Sequence, residues 1–236
     1  MRRVMLLLAV LLGLAPMASA QETDPCGDVF DLNIDLAFFV GQGDVFFDLG
    51  NYTRAIERYS CAIRRDPTYV AAYVNRGYAY AVQGNYDLAL ADYDYALTID
   101  AANVSAYNNR GVLYIQQGRF QLALTDFDLA IALAPDYAIT YQNRGTTHAI
   151  EGNYDLALAD FQQAITLDPD FAEPYASLGM VYSALAVASY TAYRQLLGDE
   201  QAPLPAGDAD TVIAALEDSR ISGNFSVWLP MLLPAR

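Results

Sequence analysis

The chain has 236 residues, 54% of them apolar and 17% charged, which suits one domain or two small ones with a packed core and excludes an unfolded chain. Its 13 cations, all arginine, stand against 28 acidic residues for a net charge of −15, a balance that repels phosphate backbones and anionic lipid surfaces. Nucleic acid and lipid headgroups are therefore not expected partners.

Residues 1–20 carry Arg2-Arg3, an apolar run from Val4 that extends to Ala15, then Pro16 and Ala18-Ser19-Ala20 ahead of Gln21. A charged start, a short apolar centre and small residues before a cut read as a signal peptide cleaved after Ala20. The run is shorter than the roughly 18 to 20 apolar residues that span a bilayer. The sequence thus predicts an exported chain, periplasmic or extracellular, with no integral span in its mature form. Residues 21–35 form an N-terminal extension. It holds Cys26, and Cys61 follows in the first repeat. In an oxidising compartment the two either bridge, closing a loop worth about 3 to 4 kcal/mol of chain entropy, or remain unrelated buried thiols. Their spacing is no zinc pattern.

Glycines at 43, 77, 111, 145 and 179 recur every 34 residues. Units starting at Leu36, Val70, Val104, Ala138 and Ala172 repeat the same chemistry at the same offsets. Offset 4 holds Phe39, Tyr73, Tyr107, Tyr141 and Tyr175; offset 24 holds Tyr59, Tyr93, Phe127 and Phe161. Alanines 55, 89, 123 and 157 occupy offset 20, and alanines 62, 96, 130 and 164 occupy offset 27. Spacings of 4, 8 and 11, then 20, 24 and 27, trace one face of each of two helices. Glycine inside a helix costs up to about 1 kcal/mol against alanine, so five at offset 8 need a reason, and close backbone-to-backbone approach of the paired helices supplies one. Gly84, Gly118 and Gly152 fit the left-handed residue ending a helix, and Pro67, Pro135 and Pro169 stop the second helix. Each unit is predicted to be a helical hairpin.

This period, with aromatic, Gly, Ala, aromatic, Ala and Pro at those offsets, resembles the tetratricopeptide repeat family. The resemblance implies an all-α, right-handed solenoid of about five hairpins at 36–69, 70–103, 104–137, 138–171 and a degenerate 172–197, with Tyr175 to Ala188 as first helix and Ser189 to Leu197 as a drifted second. It also implies a scaffold that holds another protein. Residues 198–236 read as a linker with Pro203, Pro205 and Gly207, a short helix over 211–219 and an apolar tail with Trp228, together capping the open end of the stack.

In the family the first helices line a concave groove. Offset 6 presents Asn75, Asn109 and Asn143, similar to the asparagine ladder in the repeat superhelix of O-linked N-acetylglucosamine transferase. Each amide either pairs with the backbone of an extended peptide or bonds its neighbouring helices. Tyr78, Val112, Ile115 and Met180 supply candidate side-chain pockets, and Asn108 and Gln142 complete a neutral lining. The basic residues of a carboxylate clamp are absent from these positions, so an extended neutral or apolar protein segment is the expected ligand. The alternative is an assembly subunit of a cell-envelope complex held through its convex face.

Arg76, Arg110 and Arg144 at offset 7 match Asp92, Asp126 and Asp160 at offset 23, and where the arginine is missing the aspartate is also replaced. The covariation predicts structural ion pairs within each hairpin. The motifs Asp92/Asp94 and Asp126/Asp128 cannot each grip one metal ion, because residues two apart on a helix point about 200° apart. His148, the single histidine, replaces an aromatic and reads as a packed imidazole. No nucleophile elbow, zinc-protease helix or phosphate loop occurs. The expectation is a non-catalytic protein without cofactor or metal.

Overall fold

The computed structural model describes residue 26 and residues 35–197. The leader, all of the extension but Cys26 and Asp35, and the linker and cap at 198–236 lie outside the described residues. Two compact units divide the chain, Met1–Ala72 and Tyr73–Arg236. Among the described residues every regular element is an α-helix, and none is long and apolar enough to cross a membrane.

The first unit contains α1 (Leu36–Asp48) and α2 (Tyr52–Arg65), packed as a hairpin, and the start of α3 (Val70–Val82). Asp35 caps α1 by accepting from the Ala37 amide at 3.2 Å, and Asn51 caps α2 by accepting from Arg54 at 3.2 Å. The sulfurs of Cys26 and Cys61 meet, with Cα atoms 5.4 Å apart.

The second unit continues α3 and adds α4 (Tyr86–Ile99), α5 (Val104–Gln116), α6 (Phe120–Leu133), α7 (Ala138–Ile150), α8 (Tyr154–Leu167) and α9 (Ala172–Leu197). Helices pair as α5 with α6 and α7 with α8, and from α4 onward each also packs on the next in chain order. Every first helix of a complete hairpin ends the same way. Gly50, Gly84, Gly118 and Gly152 take φ of 71 to 80°, where a side chain would be strained. The glycine N–H and the next N–H then cap two carbonyls of the last turn, as with Gly118 to Ile115 at 2.9 Å and Arg119 to Tyr114 at 2.8 Å. The chain reverses there and the second helix begins.

Ala55, Ala89, Ala123, Ala157, Ala62, Ala96, Ala130 and Ala164 are fully buried, and the rings of Tyr59, Tyr93, Phe127 and Phe161 between them are buried too. The glycines at offset 8 work differently from the expected backbone contact. Four of the five receive a ring: a Cβ built on Gly77 would lie 2.8 Å from Tyr93, on Gly111 2.6 Å from Phe127, on Gly145 2.8 Å from Phe161, and one on Gly43 would overlap Tyr59. Glycine is needed because the aromatic of the partner helix occupies the space of a side chain.

The fifth unit is not a hairpin. Where a drifted second helix was expected, α9 runs unbroken for 26 residues. Ala186 stands at the offset where the other four units have the left-handed glycine, so nothing turns the chain.

Candidate functional site

The asparagines of offset 6 sit on first helices, and the structure turns two of them inward. Asn109 is 2% exposed and Asn143 is 0% exposed, while Asn75 is half-buried. Asn143 donates to Asn108 Oδ1 at 3.0 Å, joining α7 to α5, and Asn108 donates to Asn109 at 3.4 Å. Gln142 repeats the link one unit on, donating to Ser177 Oγ of α9 at 2.9 Å and to Thr146 Oγ1 at 3.2 Å. Asn109 also hydrogen-bonds the Tyr93 phenol, whose burial pushes its pKa up. Of the two readings of the offset-6 amides, these contacts match the bonding of neighbouring helices at Asn109 and Asn143, and the offset-5 lining residues Asn108 and Gln142 turn inward with them. These side chains bond within and between consecutive first helices, amide to amide at Asn108, Asn109 and Asn143 and amide to hydroxyl at Gln142, because a buried donor without a partner costs more than the bond it would make. A spacing of 35, one more than the period, carried this signal: Asn108 with Asn143 and Gln142 with Ser177.

The apolar pocket candidates divide as well. Ile115 is a core residue, packed with Val112, Ala123 and Phe127. Met180 lies half-buried against the cluster of Ala149, Ala157, Phe161 and Val181. Tyr78 and Val112 do meet at an opening. Together with Ala81, Val82, Tyr93, Asn109, Leu113 and Gln116 they line a cleft of about 140 Å³ between α3, α4 and α5. Val82 at its rim is exposed, and Gln116 Oε1 in its wall is buried without a hydrogen-bond partner among the described residues. Val82 and Gln116 both fall at offset 13, on the groove-lining stripe that the family resemblance implies, but no residue type is shared there to single them out.

The arginine–aspartate pairs form within hairpins, as the covariation predicted. Arg76 meets Asp92, Arg110 meets Asp126 and Arg144 meets Asp160, each through two hydrogen bonds of 2.7 to 2.9 Å. Two of the arginines reach further. Arg110 donates to Asp94 at 2.7 Å and Arg144 to Asp128 at 2.6 Å, each on the preceding hairpin. The two carboxylates of each D-x-D motif thus serve different arginines. Burial pushes Asp92 and Asp126 above the ordinary aspartate value against the pull of the facing guanidinium. Hydrogen bonds to Asp126 and Asp160 hold Arg110 and Arg144 above theirs. Tyrosines on the same helix flank the cations: Tyr73 and Tyr80 lie 5.6 and 5.8 Å from Arg76, and Tyr107 and Tyr114 lie at the same distances from Arg110. In the fourth repeat Tyr141 flanks Arg144 at 5.7 Å, and His148 stands where the second tyrosine would be.

Asp126 is 4% exposed and Asp94 is 58% exposed, so the two bonds of Arg110 differ in worth. Asp126→Asn is expected to cost about 2 to 3 kcal/mol, below the roughly 3 to 5 of a fully buried pair because Arg110 keeps some solvent. Asp94→Asn should cost at most about 1 kcal/mol. Exchanging the pair by Arg110→Asp with Asp126→Arg should restore only part of the loss, since a carboxylate then faces Asp94. Urea unfolding measures all three, and equal costs for the two asparagine variants would contradict the assignment.

Burial pushes the His148 imidazole below its ordinary value, with Arg144 adding to the effect and Asp160, Glu151 and Asp128 opposing it. The folded chain therefore binds fewer protons here than the unfolded one. The resulting stability is complete above the unfolded histidine value of about 6.5 and is lost as pH falls through the lower folded value. His148→Tyr should flatten the part of the stability slope between about pH 7 and 5 that the wild type shows, read from urea midpoints; identical slopes in the two chains would refute the assignment.

Three models of the tetratricopeptide repeat match the chain, over residues 40–104, 77–140 and 138–171. No curated protein matches it. Among solved structures, MamA protein is 21% identical with a TM-score of 0.55, over 72% of this chain and 97% of that one. A structure of PilF from Pseudomonas aeruginosa is 18% identical with a TM-score of 0.60, over 85% and 93%. TTC0263, a TPR protein of Thermus thermophilus, is 22% identical with a TM-score of 0.58, over 78% and 99%. These likenesses concern the fold. Taken with the repeat models, which together span more than half of the sequence, the recurring glycine notches and caps place this chain in the tetratricopeptide repeat family.

Proposed function

We propose that this chain is an exported, non-catalytic scaffold that binds an extended neutral or apolar segment of a partner protein along the first helices of its second unit. The repeat fold supports protein–protein interaction as the general role. The cleft between α3 and α5 carries the finer reading. It has room for one apolar side chain between Tyr78, Val82 and Val112, and among the described residues its lining is neutral, which disfavours a terminal carboxylate as ligand. Gln116 Oε1 lies in the wall as an acceptor that a partner N–H would satisfy. Asn75, the half-buried member of the asparagine series, belongs to the same helix, α3. A fold neighbour, YrrB, is described as a TPR protein with an unusual peptide-binding site, at 20% identity and a TM-score of 0.51.

Export rests on the signal-peptide pattern of residues 1–20, and an oxidising destination suits a bridge between Cys26 and Cys61, whose Cα separation of 5.4 Å fits a disulfide. A second reading, an assembly subunit of a cell-envelope complex, draws on one observation. Leu88, Leu122 and Leu156 are exposed at one offset of three successive second helices, a periodic apolar ridge.

Peptide display on the chain lacking residues 1–20 separates the two. Neutral peptides with a central apolar residue should be enriched, and Val82→Glu should weaken their binding at least tenfold while Leu122→Glu leaves it unchanged. Selection for a free carboxyl terminus, or loss of binding with Leu122→Glu alone, would reject the cleft.

A further inference from the structure

In the complete hairpins of the second unit the glycine at offset 8 takes an aromatic ring from the second helix. Gly179 stands at that offset on α9 with nothing among the described residues within 4 Å of a Cβ built there. On the same stripe Tyr175 is 50% exposed and Tyr182 is 59% exposed, and Ala186 is exposed too. The opposite stripe, Leu178, Val181 and Leu185, packs on the cluster of Ala149 and Phe161. So α9 is docked by one face, and its other face is built like the hairpin face of a repeat whose second helix is missing. An open helix gains nothing from glycine there, since alanine is the better helix former.

We propose that this face is the docking slot for the chain's own C-terminal segment, residues 198–236, which takes the place of the missing second helix. Reach permits it. Leu197 lies 18 residues beyond Gly179, about 27 Å along the helix, and residues 198–209 extend to roughly 40 Å. That returns the stretch 211–219, read from sequence as helical, antiparallel over Gly179, the sense in which second helices meet first ones. Within that stretch Ile213 and Leu216 have the spacing of Tyr93 and Ala96, with Ile213 in the ring position. The apolar stretch 225–233, with the single tryptophan Trp228, would extend the cover toward Tyr175 and Tyr182.

The test is a cycle in the full chain, pairing Gly179→Leu with the tail variant Ile213→Asp/Leu216→Asp. The substitution on the helix side leaves α9 able to form, because leucine is a stronger helix former than glycine. With the tail docked, Gly179→Leu lowers the melting temperature of the otherwise native chain, red-shifts Trp228 emission, and in the tail variant no longer lowers the melting temperature. Stabilisation of the native chain by Gly179→Leu with unchanged Trp228 emission would overturn the proposal by showing the face open. A loss that appears only at concentrations where the chain sediments as a dimer would overturn it in favour of a second copy. A loss that persists undiminished in the tail variant would overturn it as well, since something other than these residues then fills the slot.

Discussion

An aromatic ring seated on a bare glycine backbone sets the distance between the two helices of every complete hairpin in this chain. Tyr59, Tyr93, Phe127 and Phe161 each occupy the volume that a side chain on Gly43, Gly77, Gly111 or Gly145 would need. The ring must be flanked by small residues to come that close, and the buried alanines one turn to either side of it provide them. The same closeness brings the first helix's arginine opposite the second helix's aspartate. The ion pairs are consequences of the notch, held at one length because the backbones are.

Polar groups follow from this packing in two different ways. Across a hairpin, guanidinium and carboxylate meet with both oxygens engaged, and Arg110 and Arg144 extend a further N–H to the preceding hairpin. Along the first helices, amides rather than charges join consecutive units: Asn143 to Asn108 and Gln142 to Ser177. An amide pair can be buried without the desolvation cost of an ion pair, which suits a seam where both partners are fully enclosed. What the seam does not enclose is the cleft at Tyr78, Val82 and Val112, where we propose that the partner segment binds.

The fold was largely legible because its rules are local and repeat. The 34-residue period, the left-handed glycines at 84, 118 and 152, and the pairing of Arg76, Arg110 and Arg144 with the aspartates 16 residues on all emerge from comparing the sequence with itself. Exposure was not legible. An asparagine at a repeated offset looks the same whether it faces solvent or a neighbouring unit, and only the 35-residue register of Asn108 and Asn143 distinguishes the cases. The role of Asp94 and Asp128 was hidden because each pairs with a residue of the next unit, outside the comparison at equal offsets. The lost turn in α9 was written at Ala186, but the missing glycine was overshadowed by good first-helix residues before it.

Proton chemical shifts of the glycines test the notch most directly. A ring stacked on a backbone shields the α-protons beneath it, so Gly43, Gly77, Gly111 and Gly145 should resonate well upfield of Gly50, Gly84, Gly118 and Gly152, where no ring among the described residues comes within 4 Å of the Cβ position. Eight glycine resonances clustered at one ordinary value would contradict the account, because the rings could not then lie where the hairpins require them.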